Sequence, residues 1–527
     1  MPDKKEDIIA NELAKKQKEI SISEFFEKNK HLLGFDNPKK ALLTTIKEAV
    51  DNSLDACQDM KVLPEIIVEI EFLGNDRFKV SIEDNGPGII KQQIPNIFAK
   101  LLYGSKFHAM RQQRGQQGIG ISAAVLYSQL TTGKPAKIIS RISPRRPAHY
   151  YELNIDTRKN EPDIIKDEEI QWNKDSGIKI ELELEAQYQK GKRSIDEYLK
   201  QTAIVNPHLH LIYINPEKEK IEYPRVTNEL PKEPKEIKPH PYGIELGILI
   251  RMLKSTSART LQAFLIQDFS RISPKTAKEI IEKANLQPNI KPHSLSRQEA
   301  EHIMNTIKQT KIMAPPTDCL SPIGQDSILK GLKKEINADF YASVTRSPSV
   351  YRGMPFQVEV GIAYGGNIPS DELVEVLRFA NRVPLLYEQS ACAITKSIIN
   401  TAWRNYGLQQ SRSALPQGCA IILIHICSVW VPYTSESKEA IASYPEIVKE
   451  IKLALQECGR KLATHLRHTV KAHEQKEKIN LFENYIPEVA NALHNLSGES
   501  KNLIIENLNK TLKKSLPHLE KNGGKID

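Results

Sequence analysis

Glu48 and Asn52 stand four residues apart in Lys47-Glu48-Ala49-Val50-Asp51-Asn52-Ser53-Leu54-Asp55-Ala56, a stretch whose spacing reads as helix. At i, i+4 and i+7, Glu48, Asn52 and Asp55 project from one face. Leu43, Ile46, Val50 and Leu54 fall mainly on the other and can bury against a sheet. A carboxylate and an amide one turn apart suit metal–nucleotide chemistry. The carboxylate polarises an attacking water, and the amide oxygen ligates Mg²⁺, a hard ion that prefers oxygen. Taken alone, the same spacing describes a solvated polar face. The residues that follow it change the odds.

Two alternating runs, Ile66–Phe72 and Phe78–Glu83, flank Asn75-Asp76 and predict a β-hairpin. The second runs straight into Asp84-Asn85-Gly86-Pro87-Gly88. That is a turn by composition; functionally, Asp84 would accept a hydrogen bond from an adenine amino group while Gly86 and Gly88 let the backbone lie against the base. Tyr103-Gly104-Ser105-Lys106 then precedes Gly115-Gln116-Gln117-Gly118-Ile119-Gly120-Ile121-Ser122 and an apolar helix, Ala123–Leu130. Glycines opening a helix make an anion cradle, because free N–H groups and the helix dipole both point at phosphate. No G-K-[ST] follows, so this is not a P-loop, and no strand leads directly in, so a dinucleotide fingerprint fits poorly.

Together, E-x₃-N on a helix, D-x-G-x-G after a strand and G-x₂-G-x-G opening a helix resemble the N, G1 and G2 boxes of the GHKL ATPase superfamily. The resemblance implies a Bergerat α/β sandwich that binds ATP with Mg²⁺. In it Glu48 is the general base, Asn52 the Mg²⁺ ligand and Asp84 the adenine reader, with Gly115 to Ser122 as the phosphate lid and Ser105 and Lys106 at its edge. One departure stands out. The family often carries a Thr after a Gly on a later strand, to help hold the adenine-site water; the equivalent here is Gly177-Ile178, and isoleucine cannot do that.

The chain has 527 residues, enough for roughly three or four domains. Hydrophobic residues make up 40% and charged ones 26%, an ordinary soluble composition, and a formal charge of +9 permits a polyanionic partner without establishing one. Six cysteines without C-x-x-C spacing argue against a disulfide framework or a zinc site and fit a reducing cytosol. The N-terminus has no apolar signal region, and the most apolar run, Cys419 to Val431, is too short to span a bilayer and predicts a buried strand. A soluble cytoplasmic protein with no membrane partner is expected. Residues 8–30 are polar and helical, either a tail or a strap across a partner subunit. Asn37-Pro38 predicts the N-terminus of the organising helix. Residues 186–228 contain the basic run Lys190-Gly191-Lys192-Arg193 and then Pro-rich text around Pro207 and Pro216; the run reads as a solvated loop more readily than as a DNA contact.

Prolines 231, 234, 239 and 241 mark a linker into helical text: Ile244–Met252, Ala258–Phe264, Pro274–Ala284 and Arg297–Ile307. Ser273-Pro274 and a Ser296/Glu299 capping box set two of the starts. Arg251, Lys254, Arg259, Arg271 and Lys275 give this insert a basic cast, equally compatible with a spacer and a phosphate-backbone contact. Beyond it, Met354–Gly366 reads as a strand, Asp371–Asn381 as a helix, and Cys419 onward as the buried strand; a long helix runs from Pro445 to about Gln475. Strand and helix alternation predicts a second α/β unit.

The order nucleotide domain, helical insert, α/β unit resembles the B-subunit family of topoisomerase VI, a type IIB DNA topoisomerase. Ile20–Asn29, Lys47–Cys57, Ala380–Tyr387 and Thr434-Ser435-Glu436-Ser437-Lys438 carry the match. The fold class implied is α+β multidomain. Residues 1–228 form the ATPase domain with an N-terminal strap, 229–310 a helix–two-turns–helix domain, 311–480 a transducer and 481–527 a helical tail. Lys438 would reach back to the γ-phosphate. The resemblance also implies ATP-driven self-dimerisation around double-stranded DNA and a separate DNA-cleaving A subunit in an A₂B₂ heterotetramer. A MutL-like ATPase or a heat-shock-type chaperone shares the first domain but not the insert. A GHKL histidine kinase needs a phosphoacceptor histidine on an upstream dimerising helix, and His31, the only histidine before Glu48, lacks one. A non-enzymatic nucleotide-binding scaffold has no use for Glu48.

Overall fold

The computed structural model describes residues 11, 13–15, 17, 19–104, 109–115, 118–435 and 438–523. Helix α1 (Ile22–Lys28) is capped by Ser21, whose side chain accepts from Glu24 N–H. The organising helix α2 (Pro38–Met60) begins where its sequence predicts: Asn37 accepts from Lys40 N–H at 2.9 Å and Pro38 takes the first turn. Leu42, Leu43, Ile46, Val50 and Leu54 on its inner face are each no more than 5% exposed, so the helix is held by packing rather than by propensity. Strands β1 (Glu65–Gly74) and β2 (Arg77–Glu83) form the expected hairpin. Asn75 and Asp76 both have positive φ, 50° and 56°, which matches the twist of a two-residue turn.

Then follow α3 (Ile94–Ala99), α4 (Gly120–Thr132), β3 (Ala136–Arg141), β4 (Ala148–Asp156), β5 (Glu161–Ile170), β6 (Gly177–Glu185), α5 (Ile195–Val205), β7 (His210–Ile214) and β8 (Lys220–Tyr223). The strands make one eight-stranded sheet in the order β5-β4-β3-β6-β2-β1-β7-β8, antiparallel except for the β1–β7 pair. Helices α2 and α4 share one core with its inner side chains. The 186–228 stretch supplies α5, β7 and β8 after its basic run, and Tyr198 and Leu199 are buried against the sheet. In that basic run Lys190 is exposed and pairs with Glu217 and Glu219.

Four helices, α6 (Leu246–Ser255), α7 (Leu261–Asp268), α8 (Pro274–Lys283) and α9 (Arg297–Gln309), close around a core of their own containing Leu249, Phe264, Ile280 and Ile303. Ser273 caps α8, and the Ser296/Glu299 box on α9 is complete.

The last unit contains α10 (Gln325–Glu335), β9 (Phe340–Thr345), β10 (Ser349–Tyr351), β11 (Met354–Tyr364), β12 (Glu375–Ala380), β13 (Val383–Pro384), α11 (Ala393–Ile399), β14 (Gln409–Gln410), β15 (Pro416–Gln417), β16 (Ala420–Ser428), α12 (Pro445–Ser497) and α13 (Lys501–Gly523). Its sheet runs β10-β11-β16-β12-β13, with β9 also on β11. The expected helix over 371–381 is a correction: β12 lies there, parallel to β16. Leu377 and Phe379 enter one core with Leu332, while Val376 and Ala380 enter another with Ile424. A strand buried on both faces has no polar side to reveal its period of two. Every residue of β16 is buried, as its sequence predicts. Helix α12 seats Ile447, Ile451, Leu455 and Leu462 on this sheet and then continues unbroken to Ser497, so the division placed at 480/481 falls inside one helix. Among the described residues no helix is long and apolar enough to cross a membrane.

Candidate active site

Between the first sheet's helices and the second unit lies a cavity of about 670 Å³, within the range that accepts a small cofactor. Glu48 and Asn52 line it one turn apart on α2. Helix α4 starts at Gly120, and a Cβ there would overlap the Glu48 carboxylate. The positive end of α4 and a carboxylate thus face one another across a gap that only glycine leaves open. Asn52 Oδ1 faces the lid on its other side, 3.8 Å from where a Cβ on Gly115 would lie. Neither Glu48 nor Asn52 has a side-chain hydrogen bond among the described residues, so both are free to act on a ligand. Asp55, next on this face, turns away to pair with Arg114 at 2.8 Å.

At the far end Asp84 is 3% exposed. Ser53 Oγ donates to its Oδ2 at 2.6 Å, and the N–H groups of Gly86 and Ile178 donate to Oδ1 at 2.9 and 3.1 Å. Burial raises the Asp84 pKa, and those three hydrogen bonds oppose the rise. Ile82, Ile89, Phe98 and Ile178 supply apolar wall, so this end suits a flat heteroaromatic ring with one amino group. Gly88 has φ +66°, and a Cβ on it would collide with the Arg141 carbonyl. The Gly177-Ile178 equivalence proposed from sequence falls at Asp84. Isoleucine contributes only backbone there, its N–H to the Asp84 carboxylate and its carbonyl to the Asp84 N–H, and the hydroxyl on Asp84 comes from Ser53 instead.

Of the other residues singled out by sequence, Gly88, Gly115, Gly118, Ile119, Gly120, Ile121 and Lys438 line the cavity. Gly86 acts through its bond to Asp84, and Ser122 is buried with its hydroxyl on the Ile119 carbonyl. Ser105, Lys106, Gln116 and Gln117 lie outside the described residues, as do Glu436 and Ser437 beside Lys438.

The second unit closes the cavity. Lys438 is 9% exposed and sits at φ 54° in the loop after β16. Its neighbour Glu439 pairs with Lys40 at 2.6 Å, which ties that loop to α2. Burial is the largest single influence on the Lys40 pKa and lowers it, but the hydrogen bonds and charges of Glu439 and Asp36 together leave the ammonium raised. Leu386 and Tyr387, from the Ala380–Tyr387 stretch, add wall, with Lys40 Nζ 5.6 Å from the Tyr387 ring centre.

Sequence reasoning passed over Lys47, Asp51 and Tyr198. Lys47 lines the cavity; burial pushes its ammonium below the usual range, Lys438 adds to this, and Glu48 and Asp51 oppose it. Asp51, 6% exposed, accepts from Tyr198 Oη at 3.2 Å, and burial raises its carboxyl to about 7. The i, i+4 spacing of Lys47 and Asp51 was the available signal.

Residues just ahead of Gly115 are fastened to the second unit. Gln112 Oε1 accepts from Ser321 N–H at 2.6 Å, its Nε2 donates to Ser321 O at 3.1 Å, and its own N–H donates to Cys319 O. Asn381 Nδ2 donates to Gln113 O at 2.9 Å and to Ser428 O at 3.0 Å, and its Oδ1 accepts from Ser428 N–H.

Two family profiles match the chain. Residues 37–147 match the histidine kinase-, DNA gyrase B- and HSP90-like ATPase family, and residues 315–478 match the topoisomerase VI B-subunit transducer. The B subunit of type 2 DNA topoisomerase 6 from Methanococcoides burtonii is 53% identical over 486 residues, covering 92% of this chain and 78% of that protein. Its counterpart in Archaeoglobus fulgidus is 52% identical over 452 residues, covering 86% and 75%. The counterpart in Pyrococcus horikoshii is 39% identical over 545 residues, covering 94% and 95%. The solved 43K ATPase domain of Thermus thermophilus gyrase B aligns at a TM-score of 0.40 and 10% identity, over 87% of this chain and 98% of that one.

Proposed function

The chain belongs to the topoisomerase VI B-subunit family, and from that premise we propose the mechanism by which this ATP-driven component of a type II DNA topoisomerase works. The observation that carries it is the Glu48 carboxylate set against Gly120 at the start of α4, with Asn52 one turn on and Lys438 in the same cavity. Glu48 orients and deprotonates the water that attacks the γ-phosphate. The N–H groups opening α4 receive phosphate oxygens, and Lys438 senses the terminal phosphate from the second unit. Asp84 takes the adenine amino group.

Asn52 fits a Mg²⁺ role, since its oxygen is unpartnered and faces the lid. Among the described residues no cluster of three metal-binding side chains exists, as expected where one protein oxygen shares the ion with phosphates and water. When bound, Mg²⁺ supplies charge neutralisation on those phosphates.

The helical insert serves as the helix–two-turns–helix domain and residues 311–480 as the transducer. ATP binding pairs two copies and closes them around a DNA duplex, and hydrolysis is transmitted to a DNA-cleaving A subunit. The test is relaxation of supercoiled plasmid by this chain with an A-type partner. Activity is expected to need ATP, the partner and Glu48. A Glu48→Ala variant should bind nucleotide but not turn it over, and normal turnover by that variant would remove Glu48 as the base.

A further inference from the structure

Two cavity-lining cations have no task in the mechanism above: Lys40, which is paired with Glu439 and Asp36, and Lys47. Among the described residues the Lys47 ammonium has neither a hydrogen bond nor an ion pair. Glu48, Asp51 and Glu439 act on it only through their fields, and Lys438 repels it. A desolvated, unpaired ammonium is costly to hold, and its position explains what would relieve that cost. On α2 it lies six residues before Ser53, which binds the Asp84 carboxylate. At the helical rise this is about 9 Å along the axis, away from the base and towards Glu48 and Lys438. Two cations that repel each other at the phosphate end of one cavity need a multiply charged anion between them.

We propose that Lys47 is a ligand of the terminal phosphate, acting opposite Lys438, and that it makes the site discriminate nucleoside triphosphate from diphosphate. This rests on the reading of the cavity as an ATP site. Asp51, one turn on and held by Tyr198, acts on Lys47 only through its field. Bringing the phosphate between Lys47 and Lys438 replaces cation–cation repulsion with two charge-assisted contacts.

The experiment is calorimetric titration of wild type, Lys47→Met and Lys47→Arg with a non-hydrolysable ATP analogue and, separately, with ADP. Lys47→Met is expected to bind the analogue about tenfold or more weakly, the scale of one lost charge-assisted hydrogen bond, and ADP within about twofold of wild type on that same scale. Lys47→Arg should recover most of the analogue affinity. Without nucleotide, Lys47→Met should melt no lower than wild type, because a half-buried, unpaired charge has been removed. Equal losses for analogue and ADP, no loss for either, or a lowered melting temperature would overturn the assignment. If wild type fails to bind the analogue, the ATP-site reading falls as well, and Lys47 with it.

Discussion

A side chain at position 120 would compete with the Glu48 carboxylate for the same space. Gly120 has no positive φ to require glycine, so Gly120→Ala tests that crowding without backbone strain and with a better helix former. The variant should keep its helical content and melting behaviour while ATP turnover drops by roughly a hundredfold or more, the scale of a misplaced catalytic group. Wild-type turnover would mean Glu48 is not held where the lid begins. At this scale the sequence was informative because the chemistry is local: Glu48, Asn52, Asp84 and the glycines report through short spacing. Lys47 escaped because a lysine on a helix ordinarily reads as solvated, and only the fold places it on a cavity wall. Ser53 escaped for a related reason; its partner Asp84 is 31 positions away.

Between elements, the clip at Gln112 is the clearest mechanical link from lid to second unit. Truncation as Gln112→Ala would leave the buried Ser321 N–H and C=O unpaired, at a cost of about 1–3 kcal/mol for each group so stranded. The expected outcome is a modestly lower melting temperature with ATP turnover kept, but fewer strand passages per ATP hydrolysed. An unchanged ratio of passage to hydrolysis would make the clip structural only. These contacts join residues 209 and 268 positions apart, a separation no pattern reading spans. Elements with one solvated face, such as α2 and the β1–β2 hairpin, were legible from their periodicity. Strand β12 was not, because burial on both faces erased the alternation.

For the whole molecule, the cavity is shared: α2 and α4 supply one side, and the loop bearing Lys438 supplies another. On the proposed reading a bound triphosphate touches both units, and its loss then changes their relative energies. Solution scattering of wild type should differ between nucleotide-free and analogue-bound protein. Glu48→Ala should give the same difference, and Lys438→Ala should lose most of it. Identical curves for wild type in both states would exclude a nucleotide-driven rearrangement. The domain order was legible from composition shifts and helical text; how the units dock was not, since it depends on buried groups such as Arg382, which bonds to the carbonyls of Val205 and Pro322.

Helix α12 converts that rearrangement into distance. Its first part is seated on the second unit's core as far as Leu466, and the remainder runs on to Ser497, about 46 Å at the helical rise. It is built as a lever whose short arm is clamped just after the loop that carries Lys438. A tilt of about 5° at the seat swings the far end by roughly 4 Å over that length, and stiffness between the two ends is lowest where Pro487 interrupts the backbone ladder.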